Sequence, residues 1–142
     1  MIKTFRGLLQ NDTSTRIRLG TNDGLTGYTI KKLELISENP GATPHNENVV
    51  KVFTTPHAVT NKINFDDPTL IAAAFYTQDA SRIYNPSTTI IVDNVKFNQD
   101  LYITVLQVDE TGLCNFYLEL EQVKLDINEA TVATLKDMRG RE

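Results

Sequence analysis

The chain has no tryptophan, only two histidines and a single cysteine among its 142 residues, and those scarcities narrow its chemistry at once. With Cys114 alone no internal disulfide can form. It lies in the apolar-rich run 113–120, where a free cysteine behaves as a small buried hydrophobe. A nucleophilic serine or cysteine needs a base beside it, and both candidates, His45 and His57, sit in loop-like sequence. No Gly-x-Ser-x-Gly elbow is present. Gly20, Gly24 and Gly27 lack the spacing, the lysine and the following helix of a phosphate loop. The two histidines could supply half a metal site, but no further cysteine or histidine joins them at ligand spacing. A paired-carboxylate glycosidase is unsupported, since no tryptophan is there to stack a sugar ring.

A basic surplus is missing too. Fourteen lysines and arginines face eighteen acids, a net charge of −4, which argues against an electrostatic nucleic-acid binder. No apolar run approaches the roughly 18 residues of a membrane span, and residues 1–7 hold no signal-peptide core. The expectation is a protein made in, and suited to, a reducing cytoplasm. No catalytic, cofactor-binding or metal residue is assigned.

What the sequence does contain is period-two alternation, the mark of strands with one face buried. Ile17 and Leu19 alternate with Arg16 and Arg18. Tyr28 and Ile30 share a parity that Leu33 and Leu35 reverse, so a β-bulge or break is expected at Lys31-Lys32. Phe116, Leu118 and Leu120 share another face before Val123 and Leu125 change parity, which predicts a second bulge or bend at Glu121-Gln122. Further strands are expected over residues 49–54, 61–65, 69–76, 88–92 and 100–108. The alanines of 70–76 favour helix, but the length and the flanking turn residues favour a buried strand.

Turn chemistry separates these runs at Asn22-Asp23-Gly24, Asn39-Pro40-Gly41, Asp66-Asp67-Pro68 and Asn85-Pro86-Ser87. Asp109-Glu110-Thr111-Gly112 reads as the best hairpin, and residues 37–48 as a long loop. At the end, Asp126 precedes Glu129 at capping-box spacing. A short helix over 130–138 should then carry Val132, Leu135 and Met138 on one side, with Gly140 as its stop. The expected fold is mainly β. Eight or nine strands with turns between them make residues 1–142 a single antiparallel β-sandwich with a short C-terminal helix. Jelly-roll-like connections are open to such a chain, and a closed barrel is the alternative.

Three polar groups, Asp66-Asp67, Asp93-Asn94 and Asn98-Gln99-Asp100, could gather oxygens around Ca²⁺, although turn formation accounts for all three. Tyr76, Tyr84, Tyr102, Phe116 and Tyr117 could line a groove. Tyr102 and Tyr117 fall on the polar parity of their strands, so they anchor an interface unless a second sheet or the helix covers them. An enzyme would require Asp66, Asp67, Asp93 or Asp100 to meet a histidine in one pocket.

The segments Gly27-Tyr28-Thr29-Ile30-Lys31-Lys32 and Phe97-Asn98-Gln99-Asp100-Leu101-Tyr102-Ile103-Thr104 carry a family texture. So does Leu118-Glu119-Leu120-Glu121-Gln122 running into Ala133-Thr134-Leu135-Lys136-Asp137. Over residues 20–36, 94–104 and 117–139 the chain resembles small virion structural proteins of tailed phages, especially those of marine bacteria. The resemblance implies a non-enzymatic protein of the virion, made in the host cytoplasm. Its leading form is a capsid decoration (cement) protein binding the major capsid protein of the assembled shell, or other virion proteins, with loops and a terminal segment spanning neighbouring subunits. A neck or tail component is the close variant, and a carbohydrate- or receptor-binding module the alternative from another class. No catalytic residue carries over.

Edges bear on assembly. Arg16-Ile17-Arg18 would protect an edge, whereas 88–92 and 101–106 are nearly uncharged and would need a cover there. The expectation is a homo-oligomer, a trimer if it decorates a quasi-threefold shell position.

Overall fold

The computed structural model describes residues 1–21, 24–39, 45–79, 87–109 and 113–140. Eight strands among them form two antiparallel sheets, followed by a helix: β1 (Ile2–Leu9), β2 (Thr13–Ile17), β3 (Thr26–Ser37), β4 (His45–Phe53), β5 (Leu70–Asp79), β6 (Ser87–Val92), β7 (Leu101–Asp109), β8 (Cys114–Lys124) and α1 (Ile127–Gly140). The three-stranded sheet runs β1-β8-β3 and the five-stranded sheet β2-β7-β4-β5-β6. One core joins them. Phe116, Leu118, Leu120, Ile30, Leu33 and Leu35 from the first sheet meet Val50, Val52, Ile71, Ile103 and Val105 from the second. Each such side chain contributes about 1.5–3 kcal/mol by leaving water.

The connections follow a wrapped ribbon. β1 lies against β8, β2 against β7 and β4 against β5. β3 runs close to β6 without a ladder. That is the jelly-roll arrangement, with β6 transferred to the five-stranded sheet. The uncharged β6 is indeed an edge, but its outer side runs along β3, so part of its cover comes from within the chain. β7 is central. β2 is an edge strand, and Arg16 within it keeps that edge charged.

Several expectations need correction. The run 109–112 does not join a hairpin, because β7 and β8 belong to different sheets and do not pair; residues 110–112 themselves lie outside the described ones. Residues 61–65 form no strand; with 54–60 and 66–69 they fold over the outer face of the five-stranded sheet. The long loop expected over 37–48 is shorter, because β3 reaches Ser37 and β4 opens at His45. The turn signals at residues 22–23, 40–41 and 85–86 lie outside the described residues. β1 was not foreseen at all, since Ile2 and Leu8 face outward on it and blur the alternation.

The bulge at Lys31-Lys32 is present. Ile30 pairs with Leu120 and Lys32 with Glu119, which leaves Lys31 as the extra residue. Leu33 and Leu35 thereby return to the inner face, opposite Leu118 and Phe116. No second bulge exists at Glu121-Gln122, where β8 pairs without a break. Leu125 is buried because the strand has already ended at Lys124 and the chain turns inward. It packs on Gly27, where an added Cβ would come within 2.8 Å of the Leu125 side chain. Gly27→Ala is therefore expected to destabilise the fold by about 1–3 kcal/mol through overpacking, read as a lowered melting temperature.

Candidate functional site

The C-terminal helix presents its large apolar residues to solvent. Asp126 caps it: its Oδ1 accepts the Glu129 N–H at 2.7 Å and its carbonyl accepts that of Ala130 at 2.9 Å. The face turned to the sandwich is made of Ala130, Ala133, Thr134 and Asp137, small or polar residues that allow close approach. Asn98, buried in the loop before β7, holds this face. Its Nδ2 donates to Gly24 O at 3.0 Å, Thr134 Oγ1 at 3.0 Å and, more weakly, Ala130 O at 3.3 Å. At the surface Lys96 Nζ donates to Glu129 Oε2 at 2.7 Å. The expected apolar side thus points outward: Ile127 is 76 % exposed, Met138 56 %, Val132 53 % and Leu135 46 %. At 100° per residue these four fall within an arc of about 140°. A shallow hollow beside Leu25 continues the patch.

The two sheets differ in what covers them. Residues 54–69 cover the five-stranded sheet's outer face, where Phe53, Leu70 and Tyr102 form a second buried cluster. Lys51, buried on that face, donates from Nζ to Lys62 O at 2.7 Å and Thr60 Oγ1 at 3.1 Å. Burial pushes the Lys51 ammonium below the usual lysine range, with Asp67 pulling the other way. Along the three-stranded sheet's outer face a broad hollow is lined by residues including Arg6, Leu8, Glu34, Ile36 and Tyr117. Leu8 and Ile36 are exposed there.

The aromatic candidates scatter accordingly. Tyr76 and Phe116 are in the main core and Tyr102 is under the loop; Tyr84 lies outside the described residues. Of the four described, Tyr117 alone is half-exposed on an outer face, its hydroxyl donating to Glu119 Oε1 at 2.7 Å. Cys114 is fully buried, and burial pushes its thiol up to about 11, so it stays protonated and inert.

One pairing sequence reasoning did not expect is His57 with Asp67. The imidazole is half-buried, stacked on Phe53 with ring centroids 3.8 Å apart, beside a cleft of about 200 Å³. His57 Nε2 lies 3.1 Å from Asp67 Oδ2 and 3.1 Å from Thr69 Oγ1, and Nδ1 lies 2.9 Å from Thr55 O. The convergence an enzyme would require is met by this pair. The geometry is nonetheless unlike a nucleophile relay, in which acid and nucleophile occupy opposite ring nitrogens. Here both crowd Nε2, while Thr69 Oγ1 donates to Asp67 Oδ1 at 2.6 Å and the Thr69 N–H donates to the same oxygen at 2.9 Å. Burial alone would raise the Asp67 carboxyl, but these bonds and His57 hold it below its ordinary range. The cluster latches the covering loop.

The other acidic groups do not gather. Asp100 turns to β2 and its exit, and among the described residues no three of His, Cys, Asp and Glu are placed to hold a metal. No described helix is long and apolar enough to cross a membrane. No family model, curated protein or solved structure matches the chain.

Proposed function

We propose that the chain is a non-enzymatic accessory protein of a phage particle, a decoration protein that binds the assembled shell through α1. The observation that carries this reading is the outward apolar arc of Ile127, Val132, Leu135 and Met138 on a helix whose other side is already anchored. Four large apolar side chains on one exposed arc are a recognition feature; scattered single ones are not. The resemblance to virion proteins names the partner class, and an anchored helix with an exposed apolar arc suits contact with a neighbouring subunit. The major capsid protein is the partner proposed.

Mass spectrometry of purified particles tests the assignment. A copy number near that of the shell's lattice sites is expected; a handful of copies moves the protein to the neck or tail, and none removes it from the virion. For the surface itself, Leu135→Asp with Met138→Asp is expected to leave melting within about 0.5 kcal/mol of the parent, because both side chains are exposed. The same pair should lower retention on particles at least tenfold in a sedimentation assay. Undiminished binding would transfer the contact elsewhere.

A further inference from the structure

We infer that the outer face of the three-stranded sheet is a self-pairing surface, on which a second copy of this chain docks face to face about a two-fold axis running along β8. The register fixes three rows across this face. Arg6, Tyr117 and Glu34 make one, Leu8, Asn115 and Ile36 the next, and Thr4, Glu119 and Lys32 the third. With strands about 4.8 Å apart, Arg6 and Glu34 stand some 10 Å from each other on either side of Tyr117. They are opposite in charge and equidistant from the central strand.

A two-fold axis along β8 exchanges the β1 and β3 sides of the facing copy. Arg6 then meets Glu34 of the second copy, and Glu34 meets its Arg6, the reciprocal contact an isologous interface requires. Leu8 meets Ile36 twice in the same way, and the two Tyr117 rings meet at the axis. The two Glu119 carboxylates also approach there, but Lys32 of each copy flanks them. An axis across the strands through Tyr117 would set Arg6 against Arg6, whereas the axis along β8 pairs every Arg6 with a Glu34.

The electrostatics of the isolated chain point the same way. Among the described residues the Arg6 guanidinium makes no hydrogen bond or ion pair. Glu34 is only 3.9 Å from Lys32, a loose exposed contact. Arginine and tyrosine at the centre of a patch, with Leu8 and Ile36 exposed beside them, are the residue types that anchor interfaces. A three-stranded face is small, so the pair belongs with weak interfaces. The pattern fits a two-fold pair and not the trimer expected from a quasi-threefold shell position.

Sedimentation equilibrium on the full chain from about 1 µM to about 1 mM reads the pair directly. The parent is expected to dimerise reversibly, and Arg6→Glu or Glu34→Arg alone should raise the dissociation constant at least tenfold. The double variant, with the charges exchanged, should recover most of that loss. Both residues are exposed, and unchanged melting shows that the variants fold. A parent that stays monomeric throughout overturns the inference. So does a dimer indifferent to Arg6→Glu or not rescued by the exchange, whether the real occupant is another surface of this chain or a shell subunit. Particle binding through α1 is read separately by the Leu135 and Met138 substitutions, so either proposal can fail alone.

Discussion

Asp100→Ala is expected to lower stability at neutral pH by about 2–4 kcal/mol. Asp100 is buried, its side chain 10 % exposed, and its carboxylate holds one corner of the sandwich. Its Oδ1 accepts the backbone N–H of Leu19 at 2.7 Å and of Gly20 at 2.8 Å, fixing the chain as it leaves β2 for the opposite sheet. Its Oδ2 accepts Arg16 Nε at 2.6 Å and pairs with Nη2 at 2.5 Å. Removing it leaves the N–H of buried Leu19 without an acceptor. The arginine half is worth less, because that side chain is 51 % exposed and water screens it. Asp100→Asn keeps an acceptor oxygen for the two N–H groups and is expected to cost only about 1–2 kcal/mol.

The pH dependence of that difference has a definite sign. Burial on its own would raise the Asp100 carboxyl, but the N–H donors of Gly20 and Leu19 and the Arg16 charge outweigh it and hold the group below its ordinary 3.8. A folded-state value below the unfolded one means the native state binds the proton less readily. The stabilisation is therefore complete above about pH 4 and is lost as pH falls through the lowered folded value. Asp67 is displaced in the same direction, so the parent weakens in that window on two counts. Urea unfolding from about pH 7 to about pH 2.5 should show parent and Asp100→Asn converging below about pH 4. A gap that persists undiminished into that range would mean that the carboxylate charge is not what stabilises the corner.

How far the sequence foretold the molecule depended on whether a signal was local. The alternation of Phe116, Leu118 and Leu120, the slip at Lys31-Lys32 and the Asp126 cap are all decided within a few residues, and each stands in the structure as read. The alanine-rich run 70–76 became β5 because strands β4 and β6 flank it on both sides, where small side chains pack closely. What failed depended on the second layer. Residues 61–65 alternate like a strand, yet Ile63 and Phe65 belong to a cover pinned from beneath by Lys51. The turn at 109–112 looks like a hairpin because only the sheet order reveals that its two strands never pair. The meeting of His57 with Asp67 left one faint local trace, Asp67-Pro68-Thr69, whose tight turn aims the carboxylate inward. The amphipathic pattern of α1 was legible, but amphipathicity says only that one face wants a partner. Which face docks was settled by Asn98 and the small residues opposite it.

Deleting one of the two adjacent lysines, 31 or 32, is expected to be strongly destabilising; removing either gives the same sequence. The bulge exists because β3 has one residue more than β8 between the pairs Ile30↔Leu120 and Lys32↔Glu119. Without that residue the side-chain alternation runs through unbroken, and the two halves of β3 can no longer both face the core. If the first half keeps its register, Leu33 and Leu35 turn outward; if the second half does, Tyr28 and Ile30 turn outward. All four are buried, at 2 %, 5 %, 2 % and 6 % exposure respectively. Losing either pair removes two large side chains at about 1.5–3 kcal/mol each, so the expected loss is about 3–6 kcal/mol. That is a large part of the 5–15 kcal/mol, roughly, that holds a typical domain together. Lys31→Ala, which keeps the extra residue and removes only a surface ion pair with Glu121, should cost less than about 1 kcal/mol. Denaturant unfolding of the two variants side by side separates backbone from charge. A deletion variant that unfolds at the parent's midpoint would mean that the inner face of β3 does not depend on the bulge, and that the core tolerates either parity.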